Sequence, residues 1–143
     1  MNLKDLEALM TQDSFIDQSS LLSESLNTIP MINKWLGICD QERLVLEAIE
    51  AKQAALEREL HDYYSGRSAD DVYEQKPFNF TLAKTEIPKY INGDPRWIEL
   101  KKLCTTQEIK IRRIDAFTKV LISTRSPTIR QAIDMLKFNN GVV

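Results

Sequence analysis

The chain has 143 residues, 43% of them apolar, which is enough for one domain with a sizeable core. Nineteen basic and 21 acidic side chains give a net charge of -2, but the first 66 residues sum to -7 and the remaining 77 to +5. No run approaches the ~20 apolar residues of a membrane span, and the first ten residues are too acidic for a signal peptide, so we expect a cytosolic protein without membrane contact.

The first forty residues are predicted to form two helices. Leucines spaced by three predict a short helix over residues 2–12. A second helix is expected from an N-cap at Asp17 to about Ile38. Because Pro30 lacks a backbone donor, it should kink this second helix or split it near Asn27.

A longer helix is predicted from an N-cap at Asp40 to about Tyr64, where Gly66 is placed to end it in the left-handed conformation. The segment 67–94 breaks the helical pattern, since prolines and a glycine punctuate it, and we expect an irregular connection there. Within it, alternating apolar and polar residues are compatible with one short β-hairpin near residues 78–91.

A long helix is predicted to begin at Asp94-Pro95, with the aspartate as N-cap and the proline in the first turn. We expect it to extend to about Ser123. Ser126-Pro127 repeats the same start signal and predicts a separate last helix that ends before Gly141.

These elements predict an all-α protein with one domain over residues 1–143. Its parts would be a helical half over 1–66, the connection over 67–94, and a second helical half over 95–143 that mediates oligomerisation.

The long helix presents three surfaces at 100° per residue. The face predicted to pack in the core consists of Leu103, Gln107, Ile111, Ile114, Phe117 and Leu121. The basic residues that lie roughly opposite are Lys101, Lys102, Arg112, Arg113 and Lys119. A weaker apolar strip lies beside the basic residues, and its members are Ile98, Ile109 and Val120. This strip indicates either a subunit interface or burial under the 67–94 connection.

The predicted last helix is too short to be stable without a partner surface. The weaker strip of the long helix on a neighbouring subunit would provide such a surface. The expected oligomer interface therefore comprises Ile98, Ile109, Val120, Ile129, Ile133, Leu136 and Phe138.

Signals for an enzyme are weak. The single histidine, His61, neighbours Asp62, and adjacent helical side chains diverge too much to form an aligned catalytic pair. There is no Gly-rich phosphate loop, no serine-nucleophile motif and no Cys/His cluster, and Cys39 and Cys104 are expected to be reduced thiols. We therefore expect a protein that is not an enzyme and has no metal and no cofactor.

Nucleic-acid binding has better support, because single-strand binders need cations for phosphates and aromatic faces for bases. Tyr63-Tyr64-Ser65-Gly66-Arg67 supplies two rings, a flexible turn and a guanidinium, and Arg58 lies one to two turns upstream. Alternatively, the tyrosines pack in the core and Arg67 complements the helix dipole. The residues expected to contact DNA are Arg58, Tyr63, Tyr64, Arg67, Lys76, Lys101, Lys102, Arg112 and Arg113.

The charge split between the two halves of the chain has three explanations. The basic second half either attracts a polyanion, or associates head to tail with the acidic half of another copy, or consists of ordinary solvated helix faces. Charge alone does not choose between them.

Several runs resemble, in order and spacing, the UvsY recombination mediators of large tailed bacteriophages. In the first half they are Phe15-Ile16-Asp17, Lys34-Trp35-Leu36 and Tyr63-Tyr64-Ser65-Gly66-Arg67. Those that resemble the terminal signature of the family are Ser123-Thr124-Arg125-Ser126, Ile129-Arg130-Gln131-Ala132-Ile133, Lys137-Phe138 and Gly141. Where the family can have Lys-x-Arg before the tyrosine pair, this chain has Arg58-Glu59-Leu60 and keeps only the first cation.

The resemblance spans nearly the whole chain and implies a non-enzymatic protein of the host cytoplasm. Such a protein binds single-stranded DNA, contacts a UvsX-like recombinase and the phage single-strand-binding protein, and assembles into a closed ring of about six or seven subunits. It helps the recombinase to displace the single-strand-binding protein, and its terminal region drives oligomerisation. The alternative from another class is a phage structural or assembly adaptor without DNA affinity.

Overall fold

A computed structural model describes residues 1–141, and within that range the backbone is mostly helical and forms no β-strand. The helices of this range are α1 (Leu3–Ser14), α2 (Leu21–Leu26), α3 (Thr28–Tyr64), α4 (Asp70–Gln75), α5 (Ile87–Gly93) and α6 (Pro95–Asn139). The all-α prediction is therefore confirmed, including the long helix in the second half of the chain. In the described range, no helix has both the length and the apolar character needed to cross a membrane.

The start of the chain follows the predicted helices closely. The side chain of Asn2 accepts a hydrogen bond from the Asp5 amide at 2.8 Å and caps α1. Asp17 is not the N-cap of the next helix, because its carboxylate accepts bonds from Ser19 and stabilises the turn before α2. The predicted break at Asn27 is confirmed, since this residue separates α2 from α3.

The predicted helix start at Asp40 is wrong, because α3 continues through it over 37 residues. Pro30 lies in the first turn of α3, where its missing N–H would have had no intrahelical acceptor. Trp35 precedes Asp40 and Ile49 follows it, and both side chains are buried. Burial on both sides therefore favours an unbroken helix over a local cap signal.

The segment 67–94 is only partly irregular, because it contains α4 and α5. The short hairpin near residues 78–91 does not form: residues 77–83 have no regular structure, and a turn and α5 follow. A hairpin needs two pairing strands, whereas Ile87 and Ile91 are one helical turn apart and are both buried by one face of α5.

The separate last helix is also absent, because α6 continues through Pro127 to Asn139. Its start is as predicted, since Asp94 Oδ1 accepts a hydrogen bond from the Arg96 amide at 2.9 Å. Arg125 and Ile129, which flank Pro127 at a spacing of four, are both buried. Packing on both sides of the proline therefore holds the two parts of α6 in one helix, although one backbone hydrogen bond is lost.

The chain forms two compact units, and α3 and α6 contribute to both. The first unit comprises Met1–Arg43 and α6 from Ile109 onward, and the second unit comprises Leu44–Glu108. Each unit therefore combines residues from both long helices.

The core of the first unit is built from α1, α3 and α6. Its buried residues are Leu6, Met10, Trp35, Cys39, Ile114 and Leu121. The ring of Phe117 packs edge-on against Trp35, with the centroids 4.7 Å apart. Polar groups at the margin are paired, since Asp13 accepts hydrogen bonds from Lys34 at 2.7 Å and from the Trp35 indole at 2.9 Å.

The second unit has its own smaller core. Leu60 of α3 is buried against Ile87 and Ile91 of α5. The partly buried residues around them are Leu56, Tyr64, Leu82 and Trp97. Leu103, predicted to pack in the core, is 53% exposed, because the buried position of α6 at this level is the adjacent Cys104.

Candidate nucleic-acid interface

Six aromatic rings of the second unit form a connected group in which each ring contacts at least one other. We refer to them as the aromatic cluster. Its members are Tyr63, Tyr64, Tyr73, Phe78, Phe80 and Tyr90. Contacting centroids are between 5.0 and 5.9 Å apart, mostly with tilted or edge-on planes, as aromatic pairs prefer. Phe78 is the central ring of the cluster, and its neighbours are Tyr63, Tyr64, Phe80 and Tyr90.

Local structure explains how distant parts of the sequence supply these rings. Tyr63 and Tyr64 are the last residues of α3, and Gly66 then reverses the chain with a φ of 81°, as predicted. This turn leads into α4, whose Tyr73 ring stacks on Tyr63 at 5.5 Å. The residues without regular structure after α4 carry Phe78, and α5 carries Tyr90.

Hydrogen bonds from three tyrosine hydroxyls hold the inner part of the cluster in place. The Tyr63 hydroxyl donates to the Lys76 carbonyl at 3.0 Å. The Tyr73 hydroxyl donates to the Tyr63 carbonyl at 2.8 Å and accepts from the Ser68 amide at 3.2 Å. These bonds tie the end of α3 to α4 and to the residues beyond it.

The third hydroxyl, that of Tyr64, donates to Asp94 Oδ2 at 2.7 Å, and Arg96 contacts the same carboxylate at 3.3 Å. Burial, assisted by the hydrogen bond to this carboxylate, raises the pKa of Tyr64 to about 12. Burial alone would raise the pKa of Asp94, but hydrogen bonds from Arg96 and Tyr64 lower it below its usual value. The ionised carboxylate of Asp94 therefore caps α6 and also holds the neutral Tyr64 hydroxyl in place.

We expect the stability of the protein to fall as the pH rises from about 10 to about 12. Tyr64 ionises near its normal pKa of 10.0 in the unfolded chain and near 12 in the folded one, so the unfolded state releases its proton first. Urea unfolding at pH 9, 10 and 11 measures the decline. Tyr64→Phe, which lacks the ionising group, should show a smaller decline, and an equal decline in both proteins would contradict this assignment.

The structure exposes the predicted cations of the second unit. These are Arg58, Arg67, Lys76, Lys101 and Lys102. Within residues 1–141 only Lys102 of this set forms an ion pair, with Glu99 at 3.4 Å. The second unit nevertheless carries twelve acidic and nine basic residues, so attraction for a polyanion depends on local placement of the cations rather than on net charge.

The remaining predicted DNA contacts, Arg112 and Arg113, belong to the first unit. Both are exposed, and Arg113 forms an ion pair with Glu7 at 2.8 Å. Of all the predicted DNA contacts, Tyr63 and Tyr64 are members of the aromatic cluster. Lys76 lies beside them, because its carbonyl accepts the hydrogen bond from the Tyr63 hydroxyl.

The predicted interface residues differ in accessibility. Ile98, Val120, Leu136 and Phe138 are exposed, Ile109 and Ile133 are partly buried, and Ile129 is buried inside the first unit. Ile133 and Leu136 also line an apolar groove with Leu21 and Leu22 of α2, with a volume of about 360 Å³.

Tyr90 belongs to the site although the sequence did not predict it there. The available signal was weak, because Tyr90 lies 26 residues after Tyr64 and only the packing of α5 brings the rings together. Asp94 was predicted as a helix cap but not as the partner of Tyr64. Among residues 1–141, no group of three or more His, Cys, Asp or Glu residues is arranged to hold a metal ion.

The chain matches the model of a protein family described as recombination, repair and ssDNA binding protein UvsY, over residues 9–142. Crystal structures of the bacteriophage T4 recombination mediator protein UvsY have a similar fold. The structure in lattice type II is 25% identical, with a TM-score of 0.82 over 98% of each chain. The structure in lattice type IV is 24% identical, with a TM-score of 0.80 over 97% of this chain and 99% of that one. No curated protein sequence matches the chain.

Proposed function

Because the chain belongs to the UvsY family of recombination, repair and ssDNA binding proteins, we propose that it loads a UvsX-like recombinase onto single-stranded DNA in place of the single-strand-binding protein. The observation that carries the proposal is the aromatic cluster with unpaired cations beside it. Rings and cations in one place are what a single strand needs for stacking and for phosphate neutralisation.

We propose that the strand contacts the cations at the end of α3 and in the segment that follows. Arg58 and Arg67 are exposed on either side of the tyrosine pair, and Lys76 lies beside Tyr63. Within the second unit, Lys101 and Lys102 of α6 would extend the contact. Arg112 and Arg113 stay a separate predicted contact in the first unit. None of these side chains is arranged for base readout, so the strand is bound with little sequence preference.

A ring of about six or seven copies would multiply weak sites, because simultaneous contact raises avidity well beyond the affinity of one protomer. The interface would join the end of α6, through Ile133, Leu136 and Phe138, to the apolar strip of a neighbouring subunit. A strand wrapped on such a ring is presented to the recombinase while the single-strand-binding protein is released. This is a function in binding, without a chemical step.

We expect the variant with both Arg58→Ala and Arg67→Ala to bind single-stranded DNA more weakly and with a shallower salt dependence. Each phosphate neutralised contributes about -0.7 to the slope of log affinity against log salt, so removing two cations should reduce the slope by about 1.4. Fluorescence anisotropy of a labelled oligonucleotide at several salt concentrations measures both quantities. The same variant should lengthen the lag before recombinase filaments grow on strands coated with the single-strand-binding protein.

The matched control replaces Lys4 and Arg130, two exposed cations of the first unit, with alanine. This control should bind and load like the wild type. An unchanged slope in the Arg58/Arg67 variant would move the contact to the cations of α6. If the wild-type protein binds no single-stranded DNA at low salt, the proposed function is wrong. That result would favour a structural or assembly adaptor without DNA affinity.

A further inference from the structure

Two rings at the edge of the aromatic cluster are unusually accessible. Phe80 is 70% exposed and Tyr90 is 41% exposed, while the other members of the cluster are less accessible. Phe80 lies in the stretch without regular structure between α4 and α5, so its side chain is not part of the packed face of a helix. At this exposure, Phe80 gains only a small part of the free energy that full burial would give, and most of its ring surface is accessible to a ligand.

The two exposed rings rest on a fixed base. Both contact Phe78, with centroid distances of 5.7 Å for Phe80 and 5.9 Å for Tyr90. Phe78 in turn packs against Tyr63 and Tyr64, whose hydroxyls are held by the Lys76 carbonyl and by Asp94. Phe80 and Tyr90 are therefore presented on a support whose order does not depend on a ligand.

The charge around the cluster makes phosphate attraction alone a weak basis for binding. Residues 67–89 carry four basic and four acidic side chains, so the segment is neutral overall. The four basic residues are exposed and form no ion pair within residues 1–141; they are Arg67, Lys76, Lys84 and Lys89. The segment thus offers exposed cations to phosphates, and the exposed rings of Phe80 and Tyr90 offer a contact of a different kind to an apolar, planar group.

We propose that Phe80 and Tyr90 form a platform on which unstacked bases of single-stranded DNA stack. This inference rests on the proposed function and adds a second, salt-independent source of affinity to it. Duplex DNA keeps its base faces covered, so the platform selects single strands without reading sequence. Two rings are too small an area for a stable protein partner by themselves, whereas they match one or two bases.

The experiment compares a normal thymidine oligonucleotide with an abasic one of the same length and charge. Wild-type protein should bind the normal strand more tightly than the abasic strand at equal salt. Phe80→Ala should weaken binding of the normal strand about tenfold or more and leave abasic binding unchanged. The salt slope of the variant should equal that of the wild type, because no cation is removed.

The chain offers a matched control in Phe15, which is 72% exposed and lies in the first unit, outside the cluster. Phe15→Ala should bind both strands like the wild type. Phe80→Trp, which keeps an aromatic face, should retain affinity, whereas Phe80→Leu should lose it. Tyr90→Ala should weaken normal-strand binding further when combined with Phe80→Ala.

Two results would overturn the platform. One is equal affinity of the wild type for normal and abasic strands, and the other is full affinity of Phe80→Ala for the normal strand. In both cases salt-dependent binding of the strand would leave the proposed function standing. If the wild type binds neither strand, the proposed function fails together with the platform. Thermal melting distinguishes a loss of stability from a loss of DNA contact. Because Phe80 is so exposed, Phe80→Ala should leave the melting midpoint nearly unchanged.

Discussion

Arg125→Ala should destabilise the first unit by about 3 kcal/mol or more, because it removes one partner of a buried ionic contact. Arg125 is 3% exposed, and its guanidinium donates to the Glu24 carboxylate and the Glu24 carbonyl at 3.0 Å. It also donates to the Thr28 hydroxyl at 3.2 Å. The substitution leaves the Glu24 carboxylate without this donor at the junction of α2 and α3, and it opens a cavity beside α6. The Glu24 carbonyl keeps one donor, the Thr28 hydroxyl at 3.2 Å.

Urea unfolding followed by circular dichroism measures this effect. Arg130→Ala is the control, because Arg130 is exposed on the same helix and should change stability by less than about 0.5 kcal/mol. Arg125→Lys should recover only part of the loss, since an ammonium group cannot reproduce the planar set of donors. If Arg125→Ala is as stable as Arg130→Ala, the contact does not hold the junction of α2 and α3 to α6.

Phe138→Asp should convert the proposed ring into a smaller species that keeps its helical circular dichroism. Phe138 is 76% exposed within the chain, so a charge there costs little stability in the protomer but opposes burial against a second copy. Loss of the ring removes multivalent contact, and affinity for a long oligonucleotide should fall about 100-fold while affinity for a short one changes little. Sedimentation velocity and anisotropy with both lengths measure the two effects.

Leu136→Asp tests the same surface closer to the apolar groove of the first unit and should act in the same direction. Ile122→Asp is the matched control, since Ile122 is an exposed apolar residue of α6 outside the proposed interface. A full-size assembly in both Phe138→Asp and Leu136→Asp would show that the end of α6 packs only within its own protomer. A smaller species in the Ile122→Asp control as well would show that the interface is not confined to the end of α6.

Local signals predicted several elements correctly. Asn27 separates two helices, Gly66 ends α3 with a positive φ, and Asp94-Pro95 begins α6. Each of these depends on a backbone requirement of one or two residues, namely a missing donor, a left-handed conformation or a cap. Such requirements act within one turn of the chain, so the neighbouring residues in the sequence are sufficient to predict them.

The same signals failed where burial opposed them. Asp40 and Ser126-Pro127 have the residues of helix starts, yet α3 and α6 continue through both. Their outcome depends on buried neighbours such as Trp35 and Ile129, and the Trp35 ring packs against Phe117 of another helix, α6. Periodicity in one segment contains no information about which distant surface covers it.

For the candidate site, the sequence by itself determined the tyrosine pair, the nearby cations and the resemblance to a family whose model matches residues 9–142. Only the tertiary structure decided which rings join the pair. Tyr73 lies on α4, Phe78 in the stretch without regular structure, and Tyr90 on α5, and all three contact the pair. The tertiary structure also decided which rings remain exposed. The exposed surface of a side chain depends on which atoms of the whole folded chain cover it. No single segment of the sequence therefore specifies how exposed a ring is.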